Sequence, residues 1–175
     1  YGSEEIKKDL LPKLVSGDVI GTLAVTEDLY APSKDNIKLS CESGKINGKK
    51  IAVPDASIAT HALVVAKSEK GICLQIADLS HEGVSIEHQE NIDESRGHFS
   101  ITFDGVDTQT IGDEISGWDI YESIVNQAAV LFAYEQIGGS QASLDMAVNY
   151  AKERYALGRP IGSYQAIKHK LADMY

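Results

Sequence analysis

The sequence predicts an α+β protein: an antiparallel β-barrel or sandwich of six to eight strands, flanked by helices, with an incomplete helical bundle at the C-terminal end. Three observations carry this. From Val19 to about Val106, short runs rich in Val, Ile and Thr alternate with Gly, Asp, Asn and Ser. After Trp118 apolar residues recur at helical spacing, and the opening segment shows the same 3.6-residue period. The pattern divides the chain into a helix over 1–17, a β-domain over 18–112 and a helical region over 113–175.

In the opening segment Ser3 is placed to cap a helix, with Glu4 and Glu5 where negative charge meets the helix N-terminus. Ile6, Leu10, Leu11 and Leu14 form its apolar stripe, Pro12 is expected to weaken it and start a new turn, and Gly17 closes it. The strand candidates are VIGTLAVT, NIKLSC, HALVVAK, GICLQIA and HFSITFDGV. Asn47-Gly48 signals a tight hairpin turn. TQTIGDEISG, from Thr108 to Gly117, reads as a linker. A nearly apolar helix is expected from Trp118 to about Ile137, ended by Gly138-Gly139, with Ser140 capping the next. The second helix carries Leu144, Val148, Ala151 and Tyr155. A final one, started with help from Pro160, carries Tyr164, Ile167, Leu171 and Met174. Such helices need cover, from further sequence or from another subunit. The abrupt end of the last helix suggests a fragment.

Composition excludes several classes. The 175 residues are 43% hydrophobic and 24% charged, ordinary for a globular chain. No apolar run reaches the ~18 residues a membrane span needs, and no signal-peptide pattern opens the chain. A net charge of -10 argues against a nucleic-acid groove. Neither G-x-G-x-x-G nor G-x-x-x-x-G-K-[ST] appears, so those nucleotide folds are not indicated. The five histidines lack metal-ligand spacing, and no G-x-S-x-G elbow is present. Cys41 and Cys73 read as reduced thiols. Asp93-Glu94 before Arg96 reads as a local ion pair of little worth if exposed. Arg154 and Arg159, around the turn between the last two helices, could grip a diphosphate bidentately, with amide contacts from Gln165, or could be ordinary surface charge.

AKERYALGRPIGSYQAIKHKLADMY resembles the long signature of the acyl-CoA dehydrogenases, in which an Arg, an aromatic-Gly, a Pro-Ile and a Gln precede Leu-Ala-Asp-Met. The opening, through TLAVTED, is similar to that family's passage from N-terminal helices into its middle β-domain. NGKK, Arg96-Gly97 and IGDEISGW fall between in the family's order, so the likeness covers essentially the whole chain. The resemblance implies an FAD enzyme that removes a proton and a hydride from an acyl-CoA to give a trans-2-enoyl-CoA. Electrons would pass to an electron-transfer flavoprotein. It further implies a homo- or hetero-oligomer, dimer or tetramer, in the cytoplasm or, in a eukaryote, the mitochondrial matrix. Arg154 and Gln165 match the residues that hold the flavin diphosphate of a neighbouring subunit. Thr26, with the backbone of Ala24 and Val25, matches the strand end along the isoalloxazine ring, and Val53 falls on its flavin side.

The sequence also departs from the family. Asp28 replaces a Pro, and Pro32 falls where a flavin- and substrate-contacting Ser belongs. Ala52, Val53 and Pro54 replace Trp-Ile-Thr. Ala156 and Leu157 replace a polar contact and an aromatic, and Ala129 an Arg. The family's catalytic Glu would lie beyond Tyr175, and the position of a substitute Glu is Ala128, so the resemblance nominates no catalytic base. The alternatives are a weak or inactive flavin-binding subunit of a heteromeric dehydrogenase, a non-catalytic structural relative, or a related flavin enzyme such as a nitroalkane oxidase or monooxygenase.

Overall fold

In the computed structural model, which describes residues 1–93 and 95–175, the chain divides into two compact units, Tyr1–Ser123 and Ile124–Tyr175. The first unit opens with helix α1 (Glu4–Ser16), capped as the sequence suggests: Ser3 Oγ accepts from the Ile6 N–H at 3.2 Å, and Gly17 ends it at φ 83°. The helix runs past Pro12 without a break. A missing N–H removes one backbone bond there, and Val19 N–H reaches back to Lys13 O at 3.1 Å beyond it.

Seven strands follow: β1 (Gly21–Ala24), β2 (Ser40–Glu42), β3 (Lys45–Pro54), β4 (His61–Lys67), β5 (Ile72–Asp78), β6 (Val84–Gln89) and β7 (His98–Ile111). The sheet closes on itself, because β4 pairs with both β2 and β5, and β3 and β7 complete the ring. β1 adds to β4, and β6 adds to β7. Closure leaves the five strands of the ring paired on both sides, and Ile46, Val64, Cys73, Ile101 and Val106 fill the interior. The sheet is mainly antiparallel, as expected, with two parallel pairings. β1 runs parallel to β4 (Gly21↔His61 to Ala24↔Val64), as does β2 (Ser40↔Lys67). Both pairings are non-local: the chain between β1 and β4 includes β2 and β3, and that between β2 and β4 includes β3, which supplies the crossover a parallel neighbour requires.

Asn47-Gly48 is not the hairpin turn. The β2–β3 turn is Ser43-Gly44, both at positive φ (51° and 78°), as a two-residue loop of this twist requires. Asn47 lies inside β3 at a register shift, where its Oδ1 accepts the Gly105 N–H at 2.7 Å. The expected linker begins four residues inside β7. Thr108 and Thr110 pair with Ala77 and Gln75, and their hydroxyls satisfy the buried Gln75 amide at 2.9 and 3.1 Å. β6 was not expected, because VSIEHQ is largely polar and half-exposed. Of the Asp93-Glu94 pair, Glu94 lies outside the described residues; Arg96 Nε donates to Asp55 Oδ2 at 2.6 Å.

The largest correction concerns the helices. α2 (Gly117–Glu153) is one helix of 37 residues, continuous through Gly138-Gly139. Each glycine costs a helix about 1 kcal/mol relative to alanine but does not end it. Neither adopts the left-handed conformation of a helix stop, and Ser143 Oγ donates back to Gly139 O at 2.9 Å. No helix among the described residues is long and apolar enough to cross a membrane.

In the second unit, Arg154 follows α2 and leads into the hairpin of β8 (Tyr155–Ala156) and β9 (Arg159–Pro160). Pro160 therefore lies in a strand rather than starting the last helix. A 3-10 turn over Ile161–Ser163 intervenes before α3 (Gln165–Met174).

The start of α2 packs against β5 in the first unit. A Cβ on Gly117 would lie 2.4 Å from the Cys73 carbonyl carbon and 2.7 Å from Leu74 N, so only glycine permits this approach. The expected outcome for Gly117→Ala is a stability loss of about 1–3 kcal/mol, the usual cost of overpacking, read from urea unfolding.

Candidate functional site

Of the residues singled out in the sequence, Ala24, Val25, Thr26 and Val53 meet where the end of β1 runs beside β3. Ala24 (0% exposed) and Val53 (1%) lie in the barrel core, Val25 is buried, and Thr26 is half-buried. Thr26 O accepts the Ile51 N–H at 2.8 Å, and Thr22 Oγ1 donates to Pro54 O at 2.6 Å. β3 is irregular here, with a register shift between Lys50 and Val53 and with Ala52 at φ 52°. The Ala52 N–H donates to Gln89 Oε1 at 2.7 Å, which fixes the bulge to β6.

Lys50 of NGKK and Glu27 of TLAVTED, neither of them a candidate site residue from the sequence, hold this junction. Lys50 is fully buried, and its Nζ donates to Val25 O at 2.9 Å and to Glu27 Oε1 at 2.7 Å. Glu27 also accepts from the Lys38 N–H at 2.8 Å and the Leu39 N–H at 3.0 Å. One ion pair thus ties the end of β1, the middle of β3 and the chain returning towards β2. Period-two counting inward from Ile46 through Gly48 reaches Lys50, so its burial had a sequence signal. Burial pushes the Lys50 ammonium below its ordinary value of 10.5, while the hydrogen bond and charge of Glu27 oppose that shift.

The cysteines are both free and buried. Burial foremost, and then neighbouring Cys73, push the Cys41 thiol up to about 11, so it is a poor nucleophile at neutral pH. Among the described residues, no group of three or more His, Cys, Asp or Glu side chains could hold a metal.

Arg154 and Gln165 belong to the second unit and flank a tied-back hairpin. The Ile161 N–H donates to Arg154 O at 2.8 Å, and Tyr164 Oη donates to Ala156 O at 2.8 Å. Leu157 and Gly158 turn the hairpin at φ 54° and 80°. The Arg159 guanidinium lies 4.0 Å from the centre of the Tyr164 ring, a cation–π contact that orients it. Arg154 and Gln165 are both exposed, and Gln165 heads α3, where a helix N-terminus favours an anion.

Comparison with known proteins gives this geometry a context. The family model for the acyl-CoA dehydrogenase C-terminal domain matches residues 116–175. The mitochondrial isovaleryl-CoA dehydrogenase of Oryza sativa subsp. japonica is 32% identical over 191 residues, covering 100% of this chain and 46% of that protein. The structure of butyryl-CoA dehydrogenase from Megasphaera elsdenii superposes with a TM-score of 0.92 at 24% identity, over 99% of this chain and 47–50% of such neighbours, 49% in its case. This chain belongs to the acyl-CoA dehydrogenase family. PigA with FAD and proline superposes with a TM-score of 0.88 at 26% identity, over 99% of this chain and 49% of PigA. The chain spans about half the length of the curated relatives it matches. Within the family, its barrel is the closed sheet between N- and C-terminal helices that the resemblance implies.

Breaking the Lys50–Glu27 pair leaves a buried carboxylate without its cation. Lys50→Ala is expected to cost about 3–5 kcal/mol in urea unfolding. The titration adds a signature. The folded value of Lys50 lies below 10.5, so between those two values the unfolded chain holds the proton that the folded one has released. Stability from this group therefore rises with pH in that window. The gap between wild type and Lys50→Ala should widen there.

Proposed function

We propose that the protein binds FAD and takes part in α,β-dehydrogenation of an acyl-CoA thioester, giving a trans-2-enoyl-CoA. The observation that carries this reading is the likeness, over the whole chain, to acyl-CoA dehydrogenases at 30–32% identity. The donor set of the fold is compatible with FAD. Thr26 offers a half-buried hydroxyl at the end of β1, while Ala24 and Val53 back that strand end from inside the barrel. Arg154 offers an exposed guanidinium for a diphosphate, and Gln165 an amide at the head of α3.

Bound FAD supplies the hydride acceptor. The residues of this chain would hold and orient it: Arg154 and Gln165 at the diphosphate, Thr26 and the main chain of Val25 at the ring. Holding cofactor and thioester in register is where a protein contributes most to such a transfer. An electron-transfer flavoprotein would accept the electrons, and a homo- or hetero-oligomer would bring together flavin sites built from two subunits.

A second reading is a catalytically weak flavin-binding subunit of a heteromeric dehydrogenase. It is favoured by Ala128 and Ala129, which offer neither carboxylate nor guanidinium, and by the Ala52–Pro54 bulge, which offers neither aromatic ring nor hydroxyl.

The full-length protein should purify yellow, with flavin absorbance, and Arg154→Ala should lower FAD occupancy at least several-fold. Unchanged flavin content in Arg154→Ala would overturn the clamp. Enoyl-CoA formation by the homomer decides between the readings, since a flavin-bound chain without turnover supports the second.

A further inference from the structure

Lys50 is a buried ammonium for which dehydrogenation has no evident use. As a contribution to stability alone it is poorly chosen, because well-packed apolar residues often serve as well as a buried ion pair. Its partners suggest another role. Besides Glu27, it donates to Val25 O at 2.9 Å, and the same peptide unit carries the Thr26 N–H. The described chain contains no cis peptide bonds. In a trans peptide the N–H points opposite to the carbonyl, so this N–H is aimed away from Lys50. It makes no hydrogen bond among the described residues, and Thr26 is only half-buried.

A buried donor left without a partner costs free energy, whereas a donor aimed at a ligand is satisfied when the ligand arrives. A cation on the carbonyl side of a peptide also polarises it, and hydrogen bonds arranged in series strengthen one another. The Ile51 N–H on Thr26 O holds the next peptide unit, and Glu27 secures the following turn through the Lys38 and Leu39 amides. The donor is thus both strengthened and fixed in direction.

We infer that Lys50 is a positioning residue for the cofactor: through the Val25–Thr26 peptide it fixes and polarises the Thr26 N–H as a donor to an electron-rich atom of the flavin ring. This rests on the flavin reading above. It assigns Lys50 and Glu27 a part in how the ring is held, although neither needs to touch it.

The test uses the full-length protein and the double variant Lys50→Met/Glu27→Gln, which removes both charges and leaves no lone buried ion. The double variant should fold, by circular dichroism and thermal unfolding. It should bind FAD about tenfold more weakly, the worth of one net hydrogen bond. Its bound flavin should show a visible absorption band displaced from that of wild type. Site-resolved amide exchange gives a readout that does not depend on the variant: FAD should slow exchange at Thr26 in the wild type. Wild type that binds no FAD overturns the flavin reading, and this inference with it. Wild type that binds FAD without slowing Thr26 overturns the inference alone. So does a folded double variant with unaltered affinity and spectrum.

Discussion

The buried contact between Lys50 and Glu27 is the constraint on which the first unit turns. A lysine with no exposed surface requires a partner, and the one it has, at 2.7 Å, sits on a different segment of chain. Pairing them fixes where β1 ends, because Lys50 also holds Val25 O. It fixes how the chain returns towards β2, because the same carboxylate accepts the Lys38 and Leu39 amides. The parallel placement of β1 and β2 along β4 is consistent with this knot, since both strands leave from segments that Glu27 and Lys50 join. The irregular stretch of β3 around Ala52 follows immediately after the lysine. Stability and site geometry therefore have a common origin.

The second unit meets a different constraint. A short hairpin must reverse the chain between a long helix and α3, and it does so with Leu157 and Gly158 in the left-handed region. The Ile161 N–H, bonded to Arg154 O, keeps the reversal tight. Both arginines are exposed, but the Arg159 guanidinium is drawn over the Tyr164 ring and committed within the unit, whereas among the described residues Arg154 has no such ring contact. Physical reading thus separates two arginines that spacing alone treats alike.

Much of the fold was legible. The cap at Ser3, the stop at Gly17 and the strand run at His61–Lys67 follow from local chemistry that tertiary structure did not override. Failures came where long-range contacts outweighed local signals. Asn47-Gly48 has the composition of a turn, but Ser43-Gly44 occupies the turn and Asn47 bonds Gly105 across the sheet. Gly138-Gly139 looks like a stop, yet glycine is a weak breaker when the helix has no other reason to end. β6 is too polar to announce itself and is defined by its pairing with β7. At the candidate site, family likeness nominates Thr26 and Arg154; Lys50 and Glu27 lie in the motifs NGKK and TLAVTED that carry the likeness, but their pairing with each other is visible only in the fold. A lysine in a strand reads as surface, and only the alternation inward from Ile46 points the other way.

On the proposed function, one buried ion pair organises the strand end that would hold the flavin ring. A high-resolution structure of the full-length protein with FAD bound tests it most directly. Lys50 Nζ is expected within hydrogen-bond distance of both Val25 O and Glu27, with the Thr26 N–H donating to an atom of the flavin ring. A Lys50 side chain turned to solvent, or a flavin lying away from Thr26, would contradict it.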